Sequence, residues 1–166
     1  PGWAAIPILQ RARALMDLRQ VLVAHQGELA RLLATDMGKT VPDASAELGR
    51  GIEAVEAAMA APHMLKGEML EGVSRGIDVE MVNQPVGVVG VITPFNFPAM
   101  IPLWFIPYAI VCGNTVVLKP SEQDPLTPER IVELIAGVDA IPPGVVNLVH
   151  GAHDAVNAIL DSEGID

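Results

Sequence analysis

Apolar residues Ile8, Ala12, Leu15 and Leu22 recur near one stripe of a 3.6-residue period, and Leu29, Leu32 and Leu33 form a second segment ending at Gly38. This pattern predicts two amino-terminal helices. A third helix is predicted to open near Thr40 to Asp43 and to carry Leu48, Ile52, Val55 and Met59 before Pro62 discourages its continuation. Gly49 and Gly51 weaken that helix locally, and close packing against a neighbour is the expected reason for both. From Gly72 the texture shifts to Gly, Ser, Asn and β-branched residues, and Ile77 to Val82 alternates as a half-exposed strand does. Beyond it the pattern predicts strand Val86 to Ile92, helix Ala99 to Val111, strand Thr115 to Lys119, helix Pro128 to Ala136, strand Val145 to Val149 and a last helix from about Asp154. Strand and helix alternate there, which implies crossover connections and a parallel sheet, a partial Rossmann-like α/β unit preceded by helices. The expected organisation is a helical part over 1–71, a strand or hairpin arm over 72–85 and the α/β unit over 86–166.

Composition tests this picture at one point. No Asp, Glu, Lys or Arg occurs between Met81 and Leu118, a run long enough to cross a bilayer. Within it lie Pro85, Pro94, Pro98, Pro102 and Pro107. A single membrane helix would have to absorb the hydrogen bonds they break, whereas strands buried on both faces of a parallel sheet are uncharged for an ordinary reason. No membrane crossing is therefore expected. The 166 residues are 51% hydrophobic and carry 20 acidic against 10 basic side chains, a net charge of −10. That suffices for one core and opposes nucleic acid as a partner. The single cysteine, Cys112, excludes an internal disulfide and points to the cytoplasm.

In open parallel sheets ligands gather at the carboxyl ends of the strands, so the candidate chemistry follows the three predicted strands. After the first comes Thr93-Pro94-Phe95-Asn96-Phe97-Pro98, where two prolines stiffen a turn and hold Asn96 between aromatic rings. Its carboxamide suits an oxyanion donor, and equally a turn dihedral that Asn tolerates. After the second comes Lys119-Pro120-Ser121-Glu122, a cation and an acceptor suited to ribose hydroxyls. The alternative is a solvated strand-end lysine with a helix-capping Ser or Glu. After the third, His150-Gly151-Ala152-His153 leads into a helix whose free amides could approach a phosphate. The two histidines have no third ligand nearby, so no metal is expected. Cys112 should lie at the opposite edge of the sheet, as a small buried hydrophobe rather than a nucleophile.

TPFNFP at 93 to 98, CGNTVVLKPSE at 112 to 122 and VVNLVHG at 145 to 151 resemble the aldehyde dehydrogenase superfamily in order and spacing. MGKTVPDASAELGRGIEAVE at 37 to 56, PHMLKGE at 62 to 68 and FNFPAMIPLWFIPYAIVCGNT at 95 to 115 look closer still to its methylmalonate-semialdehyde dehydrogenases, which acylate coenzyme A. The resemblance covers essentially the whole chain. It implies a truncated aldehyde dehydrogenase fold and an NAD-dependent oxidation whose thioester passes to coenzyme A, with loss of carbon dioxide in this subfamily. Carried onto this sequence, it makes Asn96 an oxyanion-hole donor, sets Thr93 and Phe95 on the nicotinamide side, and gives the adenosine ribose to Lys119 and Glu122. The position after that glutamate, often Arg in the subfamily, is Gln123 here, so a cofactor contact at that point would carry no charge. Arg50 matches a position that meets the carboxylate of the semialdehyde, a task suited to a guanidinium fork. The bland alternative for Arg50 is a surface ion pair with Glu47 or Glu53. The family's catalytic cysteine and general-base glutamate belong to segments beyond Asp166. The resemblance therefore assigns these residues to the amino-terminal part of an enzyme, inactive alone, completed by a catalytic lobe and expected to form a homo-oligomer. The competing reading is a non-catalytic nucleotide-binding or structural remnant.

Overall fold

Helices α1 (Ile8–Ala24), α2 (Gln26–Met37) and α3 (Val41–Ala58) open the chain in the computed structural model, which describes residues 2–166. Their apolar stripes converge, leaving Leu15, Leu18, Leu22, Leu29, Leu33 and Leu48 without solvent contact. Burial at that level contributes about 1.5–3 kcal/mol per side chain. Gly38, at φ +85°, ends α2 in the left-handed conformation that glycine adopts without a Cβ penalty. Thr40 starts α3 by accepting from the Asp43 amide. The one-turn helix α4 (Ala61–Met64) carries Pro62 in its first turn, where a missing N–H costs nothing.

A hairpin follows, with β1 (Glu68–Ser74) antiparallel to β2 (Ile77–Met81). Its first strand begins four residues ahead of the composition change at Gly72. Every residue of both strands is exposed, including Met69, Leu70, Val73, Ile77, Val79 and Met81.

The rest is an alternating unit: β3 (Val88–Ile92), α5 (Met100–Val111), β4 (Thr115–Lys119), α6 (Leu126–Ala136), β5 (Val146–Leu148) and α7 (His153–Leu160). The three strands are parallel in the order β3-β4-β5, with Val89 opposite Val116 and Val91 opposite Leu118. Because successive side chains alternate between faces, these four point to the side covered by α5, α6 and the amino-terminal helices. Gly90 points the other way, and a Cβ there would lie 2.9 Å from the Ile159 side chain of α7. Helices thus lie on both faces, as the α/β expectation required, with α7 covering β3 on the second face. The charge-free run turns out to be β3, α5 and most of β4, and no helix among the described residues is long and apolar enough to cross a membrane.

Three local expectations need correction. β3 starts at Val88 rather than Val86. Helix α6 starts at Leu126 rather than Pro128, because Asp36 at the end of α2 accepts from the Leu126 and Thr127 amides at 3.0 and 3.2 Å. A cap supplied from ninety residues away leaves no local signal. The two glycines of α3 also differ: a Cβ at Gly51 would meet Leu103 at 2.8 Å, whereas one at Gly49 would meet nothing within 4 Å. Close packing explains Gly51 alone.

Candidate functional site

Lys119 is the last residue of β4 and is only 3% exposed. A buried ammonium needs partners, and its Nζ donates to the Gly151 carbonyl at 2.6 Å and faces Glu122 Oε2 at 3.4 Å. The alternative of a solvated lysine is therefore wrong: this side chain ties the loop after β5 to the turn after β4. Gly151 itself, at φ +147° and with a would-be Cβ 2.7 Å from Ala155, admits no side chain. Glu122 is exposed, and its carboxyl is held below the ordinary carboxylate range by its own backbone N–H and then by Lys119. It stands ionised at the rim, an acceptor pair facing solvent. Ser121 Oγ accepts from the Gln123 amide at 3.2 Å, while the Gln123 side chain is exposed.

Across the sheet edge, the Thr93 amide donates to the Lys119 carbonyl at 3.1 Å, so the turn after β3 starts directly beside the Lys119 turn. The Thr93 hydroxyl is buried and unpaired. Phe95 is half exposed, and Asn96 is exposed with its carboxamide unpaired among the described residues. The Asn96 carbonyl accepts from Lys39 at 3.3 Å, and Lys39 also lies 4.8 Å from the centre of the Phe97 ring. Arg50 approaches the same ring at 6.0 Å. It makes no ion pair with Glu47 or Glu53, and Glu47 is fully buried. Lys39 is matched by the Glu47 carboxylate, so Arg50 is the cation beside this turn that is left to meet an anionic ligand.

Sequence reasoning did not find the residues that brace this turn. Glu47 Oε1 accepts from the Ala99 and Met100 amides at 3.0 and 3.1 Å, and Oε2 pairs with Lys39. The signal was present: Glu47 falls on the buried stripe of α3 with Ala44, Leu48, Gly51 and Val55.

Asp124 is the other omission. Its carboxyl is buried with no side-chain hydrogen-bond partner, and burial, then Asp36 and Glu47 nearby, raise its pKa to about 6 against the opposing pull of Lys39 and of its own backbone N–H. A carboxyl whose folded pKa is raised loses stability as pH climbs from its unfolded value toward 6. The stability of Asp124→Asn relative to the parent should therefore rise by about 2 kcal/mol between pH 4 and pH 8. Denaturant melts at the two pH values measure it, and a difference independent of pH would refute the assignment.

Cys112 caps the end of α5, three residues before β4 begins, which puts it at the amino edge of the sheet. Burial raises its thiol pKa, with nearby Arg11 acting in the opposite sense. A thiol held neutral is a poor nucleophile. His150 lies 3.7 Å from Glu129, and His153 opens α7 with Asn157 3.1 Å away.

The sequence matches the model of the aldehyde dehydrogenase family along residues 1–166. The chain belongs to that family. Malonate-semialdehyde dehydrogenase 1 of Geobacillus kaustophilus is 50% identical over 163 residues, which is 98% of this chain and 33% of that protein. The crystal structure of methylmalonate-semialdehyde dehydrogenase from Oceanimonas doudoroffii superposes with a TM-score of 0.96 at 47% identity, over 99% of this chain and 34% of that one. A Sinorhizobium meliloti structure assigned to the same activity and complexed with NAD gives 0.96 at 45% identity, covering 99% and 33%. This aldehyde dehydrogenase chain therefore spans about a third of the length of the relatives it matches.

Proposed function

We propose that this aldehyde dehydrogenase chain forms the amino-terminal part of the cofactor domain of an NAD-dependent, coenzyme A-acylating (methyl)malonate-semialdehyde dehydrogenase. The observation that carries the reading is the edge where Thr93 and Lys119 are hydrogen-bonded neighbours, which sets the Asn96 turn beside the Lys119–Glu122 turn. The residues fit the cofactor. The ionised Glu122 carboxylate accepts from the vicinal ribose hydroxyls, Lys119 donates beside it, and uncharged Gln123 follows. Thr93 and Phe95 border the nicotinamide side, where the unpaired Thr93 hydroxyl has a hydrogen bond to give. NAD, when bound, supplies the hydride acceptor.

Asn96 donates its carboxamide N–H to the oxyanion that develops on the substrate carbonyl. Arg50, exposed beside Phe97, takes the distal carboxylate of the semialdehyde in a bidentate grip. The attacking cysteine comes from the catalytic lobe, since Cys112 lies at the wrong edge with its thiol kept neutral. The thioester formed on that cysteine passes to coenzyme A. Exposed apolar residues of the β1–β2 hairpin support homo-oligomerisation of the enzyme, and a lone free thiol suits the cytoplasm.

Calorimetric titration of NAD into this chain tests the reading, because the ribose contacts lie within it. Weak binding is expected, with Glu122→Ala reducing affinity about tenfold or more and Cys112→Ser leaving it unchanged. Equal effects of the two substitutions would mean that the site is misplaced. In the full-length polypeptide, NAD reduction with malonate semialdehyde should require coenzyme A for sustained turnover, and turnover indifferent to coenzyme A would refute the acylating assignment.

A further inference from the structure

Glu47 is the one charged residue on the buried stripe of α3. Burying a carboxylate and the ammonium of Lys39 together is costly unless their hydrogen bonds are completed, and here the completing groups all belong to one short segment. Glu47 Oε1 takes the Ala99 and Met100 amides, Glu47 Oε2 takes Lys39, and Lys39 Nζ reaches back to the Asn96 carbonyl at 3.3 Å. The same ammonium sits 4.8 Å from the centre of the Phe97 ring. Residues 96, 97, 99 and 100 are therefore gripped from outside by one ion pair delivered from α3 and the α2–α3 connection. Helix α5 has no side-chain cap of its own, so Glu47 also supplies the negative charge that a helix amino terminus favours.

A cap alone would account for Glu47 Oε1, but not for Lys39, whose second hydrogen bond goes to the residue that bears the proposed oxyanion donor. We propose that Lys39 and Glu47 are positioning residues, an ion pair that holds the Asn96 turn in the orientation its carboxamide needs. This rests on the proposed role of Asn96 and extends it. Lys39 touches neither the reacting carbonyl nor the cofactor in this arrangement. Its effect is transmitted through the backbone of Asn96 and the ring of Phe97.

The test is a double-mutant cycle on kcat in the full-length enzyme, pairing Lys39→Met with Asn96→Ala. Lys39→Met removes the ammonium while Glu47 stays held by the Ala99 and Met100 amides. In the parent background Lys39→Met should lower kcat about tenfold or more with KM for NAD unchanged. In the Asn96→Ala background it should lower kcat little further, because the group it positions is gone. Lys39→Arg, which keeps the charge, should restore much of the loss. Equal fold-losses in both backgrounds, or an unchanged kcat in the parent background, would overturn the proposal, since a merely structural role gives additive or silent effects. Hydrogen exchange at the Ala99 and Met100 amides separates the two claims. If Asn96→Ala itself keeps kcat, the oxyanion assignment falls, and the grip on the turn is judged by whether Glu47→Gln accelerates exchange at those amides. Unchanged exchange would overturn the pair as a positioning device as well.

Discussion

If Asn96 is the oxyanion donor proposed above, Asn96→Ala is expected to lower kcat of the full-length dehydrogenase about 10²–10³-fold, the usual consequence of deleting one such donor. The effect should fall on kcat rather than on NAD affinity, because the carboxamide is exposed and unpaired in this chain and has no part in the Lys119–Glu122 turn. Its N–H would be recruited only as charge develops on the carbonyl oxygen. Asn96→Asp should be nearly as damaging despite its closer shape, since a carboxylate accepts where a donor is required. Steady-state kinetics with calorimetric NAD titration of the same variants measures both quantities. A parallel loss of NAD affinity would place Asn96 in the cofactor site instead of the oxyanion hole.

The largest stability effect should come from Glu47→Ala, about 3–5 kcal/mol, the range found when one partner of a buried ion pair is removed. Three groups lose their partner at once: the Ala99 amide, the Met100 amide and the Lys39 ammonium. The exposed neighbour Glu53, two turns away from any such network, provides the comparison, and Glu53→Ala should change stability by no more than about 0.5 kcal/mol. Urea denaturation of the two variants decides the matter, and equal midpoints would show that Glu47 contributes no more than a surface charge.

Sequence by itself determined the layout of this protein. Leu15, Leu22, Leu29 and Leu48 announce their helices because a buried helical stripe must repeat every 3.6 residues, and β3 and the β4 residues before Lys119 announce themselves because the buried interior of a parallel sheet carries no charge. The carboxyl edge of the sheet followed from that layout, and with it the segments after Ile92 and Lys119 as the place for chemistry. The TPFNFP and KPSE segments could be singled out for the same reason.

What only the tertiary structure decided is which polar groups on distant segments meet. Glu47 falls on the apolar stripe of α3, but its partners, the Ala99 and Met100 amides, cannot be read from sequence; Lys119 admits both a ribose-binding and a solvated reading, and the fold clasps it to Gly151. Asp36 starts a helix ninety residues away, and Asp124 is left buried without a side-chain partner. Hydrophobic burial depends on the local period of a segment, so it is written along the chain. A hydrogen bond or ion pair depends on the meeting of two particular groups, and for Glu47 with Ala99 or Asp36 with Leu126 that meeting exists only once the helices have packed.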